Sequence, residues 1–266
     1  MLINLLIGCT SMTLPPSSED FVLHSFPEDN IGSKYFNRFS TAFGVYVLVA
    51  ESVSDQDALH ATNVLAQYLD NDEDGEPDES SIVETMVNAN SAMMIFETES
   101  ELRRSGVFRG GNLSNLSVQD LYGEEILPHD GFDATLEEVL HLITQIGYAE
   151  AFPDDYAEEG SSSLTEAMDI ARGGHFTTIP DNYPEEGWYH YEDQTCEYNC
   201  MATEYLYWSL TSLLGGQSNR CSEIEDEWEL CTPEQVESVD TSIVELLRNG
   251  VASTPQVLPD GNYRNE

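Results

Sequence analysis

Apolar positions recur along the chain with two periods, and these divide it into strands and helices. Residues 43–50 (FGVYVLVA) form a continuous apolar run rich in β-branched and aromatic side chains, which predicts a buried strand; residues 91–96 predict a second. Over 55–69 the residues Leu59, Thr62, Leu65, Ala66 and Leu69 fall on one face at helical spacing, and 81–89 continues with Ile82, Val83, Met86 and Val87. A third helix is predicted over 133–148, with Asp133 as its cap and Leu136, Val139, Leu140 and Ile143 as its core stripe. Residues 163–171 read as a helix closed by Gly173-Gly174, and 200–214 as a strongly apolar one closed by Gly215-Gly216. The last helix, 233–249, has Pro233 at its start and Gly250 after its end. Residues 103–111 read as a turn-rich connection. No repeat and no linker interrupts 21–266, so the expected fold is α+β: one mostly helical domain with a small sheet.

Charge adds a constraint that periodicity does not. The 266 residues include 50 acidic and 9 basic ones, for a net charge of −41. Such a surface repels nucleic acid and anionic membranes, so no nucleic-acid partner is expected, and bound cations would relieve its self-repulsion. No apolar run reaches the length that spans a bilayer. Residues 1–20 are expected to be an export signal and tether: Leu6-Ile7-Gly8-Cys9 resembles a bacterial lipoprotein box, which implies acylation of Cys9, a lipid anchor and an extracellular or cell-surface location. The other cysteines, Cys196, Cys200, Cys221 and Cys231, suit two disulfides in an oxidising compartment, with all three pairings open. Zinc is the alternative, although their spacing matches no common structural zinc pattern.

The most ordered chemical signal is the stretch 70–79, DNDEDGEPDE. Asp70, Asp72 and Asp74 occupy alternate positions, Gly75 supplies the turn that follows, and Glu76 offers its carbonyl at the seventh place. Asp78 and Glu79 are the candidates to close a shorter loop, because Ser81 stands where an EF-hand has its bidentate glutamate. The stretch resembles EF-hand and thrombospondin-repeat loops, and the expected ligand is Ca²⁺. A solvated acidic turn is the alternative.

A second constellation is Glu137-Glu138-Val139-Leu140-His141. On a helix Glu137 and His141 project from one face, with Glu138 beside them. This resembles the zincin helix H-E-x-x-H with the first histidine replaced by Glu137, and so a divergent zincin metallopeptidase. Thermolysin-type gluzincins take a third ligand from a glutamate on a later helix, and Leu164-Thr165-Glu166-Ala167-Met168-Asp169 looks similar to that stretch. The resemblance implies a zincin-like fold, with Glu137, His141 and Glu166 as ligands and Glu138 as the general base. The cofactor would be Zn²⁺ or, given the harder carboxylate, another divalent metal, and the substrate a peptide.

Glu204, in the apolar 200–214 helix, competes with Glu166, because a buried carboxylate needs a cation, a hydrogen bond or a proton. Glu138-x-x-His141 is also half of a ferritin-like di-iron motif, whose second half is absent. His175 and His190 read as ordinary polar contacts, with an approach to a site as the sharper alternative; the aromatic group Tyr183, Trp188, Tyr189, Tyr191 and Tyr198 reads as loop packing, with a carbohydrate- or peptide-binding wall as the sharper alternative. The expected function is therefore an exported calcium-binding protein with a zincin-like site for amide-bond hydrolysis. The rival is a non-catalytic, calcium-stabilised surface or structural protein.

Overall fold

The two apolar runs become the middle of a five-stranded sheet. In the computed structural model, which describes residues 11–16, 19–127 and 131–263, the strands are β1 (His24–Ser25), β2 (Arg38–Ala42), β3 (Val45–Val49), β4 (Ser91–Phe96) and β5 (Ser117–Tyr122), in that spatial order. β1–β2 and β2–β3 pair antiparallel; β3–β4 and β4–β5 pair parallel, with Val47 opposite Met93 and Met93 opposite Gln119. Every residue of β4 is buried, as expected of a strand covered on both faces. β5 is the edge, and its mixed polar sequence hid it from a reading of periodicity.

Between β3 and β4 the chain crosses over through α1 (Asp55–Leu69) and α2 (Ser80–Asn88), which flank the acidic loop. The α1 start is fixed by the Ser54 side chain, which accepts from the Asp57 amide. α3 (Glu99–Ser105) takes up the first part of the expected turn-rich connection; its cap is Thr98, and it ends at Gly106 in the left-handed conformation.

After β5 comes α4 (Thr135–Leu142), which lies beside α1 against β4 and β5. Asp133 accepts from the Thr135 amide at its start. The expected single helix over 133–148 changes register: Ile143–Tyr148 forms a π-helical turn, followed by α5 (Ala149–Ala151) and α6 (Pro153–Tyr156). Gly147 allows that turn close contact with α2, since a Cβ there would lie 2.7 Å from Ile82. α7 (Ser163–Ala171) begins with a capping box of Ser162 and Thr165.

α8 (Tyr198–Leu213) packs on both α4 and α7. After α9 (Cys221–Ile224), the expected last helix is two, α10 (Pro233–Val239) and α11 (Thr241–Asn249), because the Asp240 carboxylate turns inward and caps α11. The cysteines pair as Cys196–Cys200 and Cys221–Cys231, which settles the pairing and removes the zinc alternative for them. Among the described residues, no helix is long and apolar enough to cross a membrane. Cys9 and most of the 1–20 segment lie outside the described residues.

Candidate metal centre

The acidic loop and the α4 face are separate sites. In the loop Asp70 is fully buried; its Oδ1 accepts from the Asp74 amide at 3.2 Å and its Oδ2 from the Gly75 amide at 2.8 Å and from the Tyr263 hydroxyl. Gly75 has a φ of +93°, which the sharp turn requires. Asp70, Asp72 and Asp78 bring carboxylate oxygens within 4.8 Å of one another. Burial, followed by Asp72, Asp70 and Asp74, raises the Asp78 carboxyl above its usual range, against the opposing pull of the Asn71 amide.

Not every predicted calcium ligand joins this group. The Asp74 carboxylate turns back to accept from the Glu76 amide, and the Glu79 carboxylate accepts from Ser81 at the start of α2. Asp78, and not Glu79, is the later carboxylate that stands with Asp70 and Asp72.

The second site is built on the last two turns of α4. Glu137, Glu138 and His141 place one ligand atom each within 4.8 Å of one another. α8 supplies the facing wall: His141 Nε2 lies 3.4 Å from Glu204 Oε2, and its ring meets Tyr207 edge-on at 5.8 Å. On the other side of the imidazole, Nδ1 is 3.6 Å from Glu138 Oε2. His141 is 5% exposed, and its Nε2 is buried without a hydrogen-bond partner. Glu138 accepts from Gln119 of β5 at 2.6 Å, and Glu204 accepts from the Tyr191 hydroxyl at 3.2 Å. These two carboxylates are thus held by a strand and by the aromatic loop.

Electrostatics mark the site as short of positive charge. Burial, then Glu204 and Glu138, push the Glu137 carboxyl up to about 8, while His141 and the Tyr207 hydroxyl work the other way. Burial disfavours the His141 imidazolium, yet Glu204 and Glu138 outweigh it and hold the ring well above its usual range. Glu158, which accepts from Thr203 of α8, is raised to about 7, chiefly by burial. Three carboxylates around one buried imidazole with a free nitrogen suit a divalent cation better than they suit each other. The one-nitrogen, carboxylate-rich donor set fits zinc, manganese or iron(II).

The structure separates Glu166 from this group. It is exposed on α7, where it accepts from Ser161 at 2.6 Å and lines a groove with Asp155 and Glu245. Its α7 neighbours Leu164, Thr165, Ala167 and Met168 are the buried face, so the glutamate points away from the core. Glu204, and not Glu166, lies beside His141. His175 pairs with Asp169, and His190 lies 3.0 Å from the Gly187 carbonyl, so both serve loop packing. Gln119, Glu158 and Tyr207 escaped the sequence reading, and Tyr191 was read there as loop packing. Only Tyr207 carried a local signal, three residues after Glu204 on the same helix face.

Comparison of the chain with protein-family models, with curated proteins and with solved structures finds no match.

Proposed function

We propose that this chain is a metal-dependent hydrolase of divergent zincin type, acting on amide bonds and stabilised by calcium. The observation that carries the reading is the buried His141 Nε2, unpartnered and facing Glu204 beside Glu137 and Glu138. Glu137, His141 and Glu204 are the ligand set. A divalent ion bound there supplies Lewis acidity and a water of lowered pKa. Glu138 accepts the proton of the attacking water and returns it to the leaving amine, and Gln119 holds it in line for both tasks. Tyr191 orients Glu204. Two disulfides fit an oxidising, extracellular setting, and Asp70, Asp72 and Asp78 hold the calcium.

The test combines elemental analysis with one variant. Protein dialysed against zinc, manganese and calcium should retain a transition metal beside calcium and should cleave a quenched fluorescent peptide mixture. Glu138→Gln should reduce that cleavage by at least about a hundredfold while leaving metal content and melting temperature unchanged. Retention of calcium alone, with no cleavage by the wild type, would favour the non-catalytic, calcium-stabilised protein instead.

A further inference from the structure

A basic residue stands in the groove that opens on Glu137. The groove has a volume of about 380 Å³, and its walls include Glu124, Glu125, Phe132, Glu137 and Arg220. The Arg220 guanidinium is held against aromatic faces, its carbon 4.4 Å from the Phe132 ring centre and 6.0 Å from that of Trp208. The next residue, Cys221, is tied to Cys231. The side chain is thus fixed by its neighbours on both sides.

Its hydrogen-bonding capacity is only partly used. Nη2 donates to Glu223 at 2.8 Å, and Nη1 reaches Gln217 at 3.5 Å. Nε is buried and has no partner. The Glu223 side chain is 63% exposed, so that ion pair adds little and yields readily to a competitor. Gln217 in turn donates to the Tyr207 hydroxyl at 3.2 Å, which connects Arg220 to the wall that packs on His141. A rigid, partly desolvated guanidinium with spare donors is suited to a planar carboxylate.

Building on the hydrolase reading above, we infer that Arg220 binds a carboxylate of the substrate and selects peptides that carry one near the cleaved bond. Glu124 and Glu125 set the limit on charge. With Glu137 they line the same groove as the guanidinium, so a ligand with one negative charge is repelled less than one with two, which favours a carboxylate over a phosphate dianion. The carboxylate belongs either to an aspartate or glutamate side chain or to a chain terminus.

Calorimetric titration of the full, calcium-loaded protein, with and without zinc, decides this at about 0.15 M salt, where the long-range repulsion of an acidic ligand is screened. The probes are acetyl-Ala-Gln-Ala amide, acetyl-Ala-Glu-Ala amide and acetyl-Ala-Gln-Ala with a free terminus. One acidic peptide should bind at least about tenfold more tightly than the neutral one, and which one it is identifies the source of the carboxylate. Arg220→Gln should remove the preference, and Arg220→Lys should keep part of it. Glu223→Gln removes the charge that holds Nη2 and should strengthen binding of the preferred peptide; this variant decides the matter if Arg220→Gln does not fold. Equal affinity for all three peptides, a preference that survives Arg220→Gln, or no gain in Glu223→Gln overturns the inference. A preference without any hydrolysis would sink the hydrolase reading and leave the carboxylate site standing, whereas hydrolysis without a preference would do the reverse.

Discussion

Asp240 is 1% exposed, and three hydrogen bonds explain how its carboxylate is accommodated. Oδ2 accepts from the Trp188 indole at 2.9 Å and the Tyr205 hydroxyl at 2.7 Å, while Oδ1 accepts from the Ile243 amide at 3.3 Å. One side chain therefore joins the aromatic loop, α8 and the start of α11. Burial raises its carboxyl above the usual range, and the three donors only partly offset this. Asp240→Ala removes a helix cap and leaves two aromatic donors unpaired in the core. We expect it to cost at least about 3 kcal/mol in urea unfolding, since each of the two orphaned donors costs about 1–3 kcal/mol and the cap about 1. A loss below about 1 kcal/mol would mean that water or a neighbour satisfies those donors.

At the scale of elements, the loop between α1 and α2 is also where the C-terminal tail is fastened. Asn71 donates to the Val257 carbonyl and accepts from the Gln256 and Val257 amides; Gln67 bonds Asp260 and Gly261; Tyr263 donates to Asp70. Calcium bound by Asp70, Asp72 and Asp78 would therefore hold both helix ends and the tail. With calcium at about a hundred times its dissociation constant, linkage gives about 2.7 kcal/mol, or roughly 5–10 °C in a protein of this size. Chelation should lower the melting temperature by that amount, and Asp72→Ala should melt at the chelated value with or without calcium. An unchanged melt in chelator would reduce the loop to a solvated acidic turn.

The same elements show what the sequence could disclose. α1 and α7 were legible to the residue, because each has a clean period and chemical end signals, Ser54 before α1 and Ser162 and Gly173 around α7, and β4 was legible as a short apolar run. The carboxylate–histidine face of α4 was legible because its members are neighbours on one helix. Glu204 was legible only as a rival of Glu166, and the contacts of Gln119 and Tyr191 were not legible, since they depend on how α8, β5 and the aromatic loop pack. The break at Asp240 was hidden for a related reason: the apolar period continues through it, and only the inward donors reveal the turn.

Taken as a whole molecule, the chain carries −41 with few compensating bases, and its pH response should show it. Burial raises Glu227 to about 7, helped by Glu204 and Glu192 and opposed by the Trp208 indole and Arg220; Glu158 is raised to about 7 as well. Glu97, Asp120, Glu125 and Asp240 are also raised, each chiefly by burial. A carboxyl raised by folding binds its proton more tightly in the native state. Its contribution is complete below the unfolded pKa and is lost as pH rises through the folded value. Lowering the pH from 8 through 7 should therefore stabilise the metal-free protein. Asp133 works in the opposite sense: although burial opposes ionisation, its bonds to His60 and Thr135 hold it below the usual range, so its contribution disappears only under strong acid. The melting temperature of chelated protein should consequently rise as the pH falls from 8 to about 4–5, where carboxyls titrate in the unfolded chain, and decline only in stronger acid. Calcium and a transition metal replace protons as the counter-charge, so saturation with both should raise the pH 8 melt more than the pH 5.5 melt and flatten the profile. A chelated profile that climbs steadily to pH 8 would show that the buried carboxylates are already compensated within the protein, and the case for cations at either site would lose its physical basis.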